Sequence, residues 1–487
     1  MRLRDGNETL KASKFSAAIA ATALLAACGG GGGSSSGSGG SPISGTPTPT
    51  PTSTTAACSL ADQKAFALAK IDEWYLFPDL IDKSVNASTY ATVQDYIDAL
   101  VKPARDQRKD RYFTYVTSIA EENAYYSSGS QAGFGIRLGY DTVNNAVYVI
   151  EAFENAPALN GGLDRGTRIL AVGTSAGTMR DTFDIMEGGG PYAFSDALGP
   201  SDSGVTRYMR IRTAAGVEST VALTKTDYAL DPVSDRYGAK VIDDNGTKVG
   251  YINLRTFIDT AEPDLRAAFQ TFRNQGIDRV IIDLRYNGGG LVSIADLMGN
   301  LLGRDKNGEV FSRTTLRPSK ASLNTTEYFS PQPQSITPMK IAFIGTTSSA
   351  SASELVINSM IPYLGTNMAL VGTNTYGKPV GQYGFDNAAC DQRMRVVTFR
   401  TENADGNADY FDGLATTVPV TCRANDDIFR QLGDPQEASV AGALDFLAGR
   451  SCTAIVGGAQ SAQSAGGRRV LQPERPTTAQ REVPGLF

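Results

Sequence analysis

Histidine is absent from all 487 residues. That excludes a Ser-His-Asp triad and any histidine-ligated metal site, and it leaves lysine as the natural base for a nucleophilic serine. Basic blocks are missing too: the formal net charge is −6, so nucleic acid is not an expected partner. Tryptophan occurs once, as Trp74, in a helical-looking segment where packing is its expected role. Cysteine is scarce, with five residues at wide spacings, so neither a metal site nor a cofactor is expected. The one long apolar run, Phe15–Ala27, is too short to cross a bilayer. What remains is ordinary globular composition, 41% hydrophobic and 20% charged, on a chain long enough for two or three domains.

The apolar run FSAAIAATALLAA follows Arg2, Arg4, Lys11 and Lys14 and leads directly into Cys28. A basic stretch, a short apolar stretch and small residues at the cut describe an export signal over residues 1–27. Leu25-Ala26-Ala27-Cys28 resembles the bacterial lipobox, which implies lipidation of Cys28, a membrane anchor and a place in the bacterial cell envelope, on the periplasmic or outer-membrane face. Residues 28–57 pass from Gly/Ser into Thr/Pro repeats and read as a tether. In an exported chain the four remaining cysteines, Cys58, Cys390, Cys422 and Cys452, favour disulfides. Of the three connectivities, Cys390–Cys422, stapling a late sheet, and Cys58–Cys452, tying the ends of the folded body, are the expected pair. Residues 451–487, rich in Gly, Gln, Arg and Pro, read as a disordered tail.

Residues 58–128 carry apolar residues at helical spacing, as in SLADQKAFALAKIDEWYLFP. From Gly133 the pattern alternates, in GFGIRLGYD, AVYVIEAF, RGTRILAVG, TRYMRIRT and ESTVALTK, which is the strand signature. This arrangement over 129–228 resembles a PDZ domain of the bacterial, protease-associated type. The resemblance implies that Phe134, Gly135 and Ile136 form a loop whose N–H groups capture a peptide's carboxylate while the peptide adds a strand. Thr167 stands where such domains usually have aspartate. From Lys248 strand and helix alternate: VGYINLRTF, AEPDLRAAFQTFRNQG, DRVIIDLRYNGGG, LVSIADLMGNLLG, MKIAFIGTT, SASASELVINSMIPYL and MALVGTNTYG. That grammar predicts a parallel sheet covered by helices, an α/β core over 229–450. Functional groups of such sheets collect beyond the carboxyl ends of the strands, where the NGGG turn and the serine cluster both fall.

Ser-Lys catalysis needs a serine hydroxyl, a lysine whose ammonium is destabilised by burial, N–H donors for an oxyanion and a group to orient the amine. Ser351 stands where a strand gives way to a helix, favouring negative charge. Lys378 is the only lysine after Lys340, and Gln382 lies four residues on. The glycine turn Gly288-Gly289-Gly290 and Ala352 supply candidate N–H donors.

IIDLRYNGGG, SASASE and TYGKPVGQ, in this order behind a PDZ-like segment, resemble the C-terminal processing peptidases, or tail-specific proteases. The resemblance covers about residues 129–447. It implies Ser351 as nucleophile, Lys378 as general base, Gln382 as its support, and Gly290 and Ala352 as oxyanion donors. It also implies a crotonase-like core and a polypeptide substrate, recruited near its C-terminus. Two features depart from the pattern: IPYLGTNM lengthens the interval between Ser351 and Lys378, and Pro379 replaces the commoner glycine. Ser349 and Ser353 are expected to cap or pack, Glu354 to complete a capping box, and Asp283 and Arg285 to brace a strand end. The expected activity is that of a serine endopeptidase; the alternative is a non-catalytic peptide-binding lipoprotein.

Overall fold

The computed structural model describes residues 58–456 and 468–487. The export signal, Cys28 and the tether lie outside the described residues. A six-stranded sheet forms the centre, in the order Ala239–Asp244, Thr247–Asn253, Arg279–Asp283, Lys340–Gly345, Met368–Gly372 and Thr421–Arg423. The first pair is antiparallel and the rest are parallel. The three inner parallel strands, Arg279–Asp283, Lys340–Gly345 and Met368–Gly372, are apolar on both faces, as a doubly covered sheet requires. Val280, Ile282, Ile341, Phe343, Met368 and Leu370 join one core with helices Ala261–Asn274, Val292–Leu302 and Ala352–Leu364. Ile281, Ala342, Ile344, Ala369 and Val371 face the other way, against helix Ala438–Leu447. The molecule is therefore of mixed α/β class.

The N-terminal helices Leu60–Trp74 and Val93–Leu100 pack on a second sheet built around the hairpin Val380–Asn387 and Gln392–Glu402. Trp74 does pack there, 5.4 Å from the Phe385 ring and under Lys320 Nζ at 4.0 Å. A third, seven-stranded sheet carries Ile136–Asp141, Ala146–Ala152, Arg168–Gly173, Thr206–Arg212 and Glu218–Thr224, with helix Thr182–Ala197 over its core. The short pair Ser130–Gly133 and Thr226–Ala229 closes this β-rich segment at its two ends.

Two expectations need correction. All four described cysteines are bonded, but as Cys58–Cys390 and Cys422–Cys452, not as Cys390–Cys422 and Cys58–Cys452. The physical reason is which sheet each cysteine joins. Cys390 sits at the tip of the hairpin beside the first helix, where Gln392 Nε2 donates to Gln63 Oε1. Cys422 lies on the far edge strand of the central sheet, and the returning chain runs alongside, Arg423 N–H donating to Thr453 O.

The second correction concerns the tail. Residues 457–467 lie outside the described residues, but 468–487 are ordered. Arg469–Val470 pairs with strand Ile136–Asp141, Thr478–Glu482 is helical, and Val483, Leu486 and Phe487 are buried. Its anchor is the backbone edge of a strand, which composition and periodicity do not report.

Candidate active site

The turn after strand Arg279–Asp283 is fixed from below. Arg285 is fully buried, 2.7 Å from Asp283 and 3.0 Å from Glu437, which is the expected strand-end brace. Asn287 then organises the glycines: its Nδ2 donates to Leu254 O and its Oδ1 accepts from Gly289 N–H at 2.9 Å. Its backbone oxygen accepts from Ala350 N–H and from Ser353 Oγ, both at 3.0 Å. Ser349 Oγ donates to Leu284 O at 2.7 Å. The hydroxyls of Ser349 and Ser353 are thus spent on bracing, and both residues are fully buried. Ser351, between them, is partly exposed and holds φ 56° and ψ −115°, a conformation that non-glycine residues rarely adopt.

Ser351 caps helix Ala352–Leu364, and Glu354 returns to its N–H at 3.2 Å. The capping box is present, but the carboxylate does more. Its Oε1 accepts from Gly377 N–H at 2.7 Å and its Oε2 from Lys378 N–H at 2.7 Å. A single buried carboxylate therefore ties the serine elbow to the lysine turn. Burial pushes the Glu354 carboxyl up, against the hydrogen bonds from Thr375, Lys378, Gly377 and Ser351. The carbonyl side of the same turn is held by Arg111, whose Nη2 donates to Tyr376 O at 2.7 Å and to Gly377 O, and whose guanidinium lies 4.0 Å from the Tyr376 ring centroid. Gly377 has φ 88°, and a Cβ there would meet Phe411 O at 2.3 Å, so only glycine fits.

Lys378 is 9% exposed, with Nζ 5.1 Å from the Phe113 ring centroid. Burial lowers its pKa; Glu482 and Asp110 oppose that shift, while Arg481 and Arg395 add to it. Gln382 shares a cavity of about 470 Å³ with Lys378, and its Nε2 donates to Phe113 O at 2.7 Å, which fixes the amide with Oε1 as the remaining acceptor. The described hydrogen bonds connect Ser351 to Lys378 through Glu354 rather than directly.

Gly290 pairs with Phe257 in a parallel bridge, flanked by Phe257 N–H to Gly289 O and Leu291 N–H to Phe257 O. That pattern turns the N–H of Gly290 itself to the opposite side. Ala352 opens its helix, so its N–H is one of the first-turn donors without an intrahelical partner. The two elements touch: a Cβ on Gly289 would lie 2.7 Å from Ser351 Cβ and 3.2 Å from Ala352 N. IPYLGTNM is taken up in the last helical turn and the short 3-10 turn Gly365–Asn367, at the helix end remote from Ser351.

Residues 248–420 match the model of peptidase family S41. The chain carries a peptidase family S41 domain. Its serine cluster, glycine turn and lysine turn all fall inside the matched residues. The domain is similar to the carboxyl-terminal-processing protease of Picosynechococcus, 26% identical over 260 residues, covering 53% of this chain and 57% of that protein. It is also similar to the protein of the same name from Synechocystis, 24% identical over 301 residues, covering 61% and 63%. The chain thus spans about three-fifths of the length of these relatives. A solved S41 protease structure from Bacteroides fragilis shares the fold, with TM-score 0.61 and 22% identity, over 79% of this chain and 97% of that one.

Three features of the candidate site lie beyond sequence reasoning: the second half of the Glu354 bridge, the Arg111 clamp and the tail. Glu354 was visible as a capping residue, but its other partners lie 23 and 24 positions on. Arg111 and the tail reach the site from hundreds of residues away, with no local signal.

Proposed function

We propose that this chain is a serine endopeptidase in which Ser351 is the nucleophile and Lys378 the general base. Ser351 Oγ attacks the peptide carbonyl, and its proton passes to the Lys378 amine, which returns it to the leaving amine. Water then hydrolyses the acyl-enzyme. Gln382 orients the lysine, and the N–H groups of Gly290 and Ala352 receive the oxyanion. Residues 129–228 act as a PDZ domain, with the loop Phe134-Gly135-Ile136 taking the end of an unstructured polypeptide, and the core is crotonase-like. An export signal over residues 1–27 directs the protein to the bacterial cell envelope, and a lipid on Cys28 holds it there.

The observation that carries this reading is the Glu354 bridge: one carboxylate fixes a strained serine elbow and the turn bearing a desolvated lysine. The S41 domain and the names of its relatives support it. Ser351→Ala and Lys378→Ala are each expected to lower casein cleavage at least about a thousandfold, with circular dichroism unchanged. Full activity in either variant overturns the dyad. A serine-directed phosphonate is expected to label Ser351, which a non-catalytic peptide binder would not permit.

A further inference from the structure

The edge of strand Ile136–Asp141 is already occupied by the chain's own residues 469–487. Gly135 N–H and Ile136 N–H both donate to the backbone oxygen of Phe487, at 3.0 and 3.2 Å. Phe487 N–H returns to Ile136 O at 2.9 Å, and Leu138 N–H donates to Gly485 O at 2.8 Å. Leu486 faces Arg137 in an antiparallel bridge. This is strand addition, with side chains seated in pockets on either side. Phe487 is 5% exposed among Phe134, Ile136 and Leu138, and Val483 and Leu486 are buried beside Tyr125, Tyr228 and Ile258. Gly485 has φ 91°, and a Cβ there would meet Arg137 Cγ at 2.8 Å and Leu138 O at 2.9 Å. No other residue type suits that position.

Upstream, the same segment crosses the candidate site. Gly288 N–H, in the glycine turn, donates to Glu482 O at 2.8 Å. Arg481, Glu482 and Pro484 line the cavity that holds Lys378 and Gln382. Arg481 is pinned by its Nη1 to Tyr112 O at 3.0 Å and by the Tyr115 ring at 4.0 Å.

We propose that this edge and the Lys378 cavity form one continuous polypeptide-binding groove, and that residues 468–487 are its resident ligand. The groove takes an extended segment with Gly-Leu-Phe chemistry: glycine where the backbone must turn, then two apolar residues. An incoming polypeptide has to displace the tail before it reaches Ser351. The inference deepens the peptidase reading and rests on it for the meaning of displacement, but binding can be read without hydrolysis.

The test uses the full chain carrying Ser351→Ala, alone and combined either with Gly485→Val or with removal of residues 483–487. The probe is a fluorescent Arg-Glu-Val-Pro-Gly-Leu-Phe peptide, followed by polarisation. If the tail fills the groove nine-tenths of the time or more, apparent affinity in the parent is weakened at least about tenfold relative to both tail variants. Gly485→Val keeps the apolar residues, so a folding failure of the truncation leaves the comparison intact. Equal peptide affinity in the parent and Gly485→Val, or no binding to any of the three, overturns the proposal. With Ser351 restored, casein cleavage is expected to rise in Gly485→Val by a similar factor. Tighter peptide binding without any cleavage would sink the peptidase reading and leave the resident ligand standing.

Discussion

The proposed mechanism needs Lys378 to be a base at working pH, although it begins as an ammonium. Burial disfavours that ammonium and lowers the pKa, Arg481 and Arg395 push the same way, and Glu482 and Asp110 pull back. Activity on casein is therefore expected to rise with pH and level off below the ordinary lysine value of 10.5, as the amine loses its proton. A flat profile between about pH 5 and pH 9 would contradict a lysine base. Because the docked Glu482 favours the charged form, Glu482→Gln is expected to move the rising limb of kcat/KM, which reports the substrate-free enzyme, to lower pH, whatever happens to its height. Glu354 acts by position. Glu354→Ala is expected to lower kcat about tenfold to a hundredfold with little change in KM, since loss of the bridge displaces the serine elbow and the lysine turn together. Glu354→Gln, which keeps one acceptor oxygen, should recover part of that loss. A change confined to thermal stability, with kcat intact, would assign Glu354 to capping alone.

Among the elements, the site is made where three strand ends and one helix start converge. The strand Arg279–Asp283 delivers the glycine turn, Lys340–Gly345 delivers the serine cluster, and Met368–Gly372 precedes the lysine turn. Parallel neighbours in one sheet carry all three to the same edge, as their alternation with helices predicts. The lysine turn is shaped by Gly377, and Gly377→Ala is expected to cost about 1–3 kcal/mol, read from the urea midpoint at constant slope. No measurable loss would mean that the turn relaxes without the Phe411 contact. The edge strand Thr421–Arg423 is stapled to the returning chain by Cys422–Cys452, a span of 30 residues. Replacing both cysteines with serine is expected to cost about 3–4 kcal/mol by loop-closure entropy, also read by urea. The same double substitution should leave casein kcat unchanged, because neither cysteine lines the cavity that holds Lys378.

Across the whole molecule, the β-rich segment is joined to the central body by buried charge. Glu151 accepts from Arg255 Nε and from Tyr237, both at 2.6 Å, with Arg137 at 3.4 Å. Burial alone would raise Glu151, but Arg255 and Arg137 outweigh it and hold the carboxyl at about 2. Its folded pKa lies below the ordinary 4.5, so the stabilisation is present above that value and is lost as pH falls toward about 2. Unfolding midpoints at about pH 5 and about pH 3 should diverge in the parent and converge in Glu151→Gln. Equal divergence in both would place the acid sensitivity elsewhere. The sequence alone determined what repeats locally. Apolar strands alternating with amphipathic helices specified the parallel sheet. The three motifs, each complete within ten residues or so, marked the strand ends where Ser351 and Lys378 now stand. Only the tertiary structure decided the pairings between distant segments: Cys58 with Cys390, Glu354 with the lysine turn, Arg111 with Tyr376, and Phe487 with Gly135 and Ile136. Apart from the disulfide, each of those contacts has a backbone N–H or C=O on at least one side, a group that nearly every residue carries. A segment poor in apolar periodicity can therefore dock on a strand edge without announcing it, because the edge supplies the order that its composition lacks.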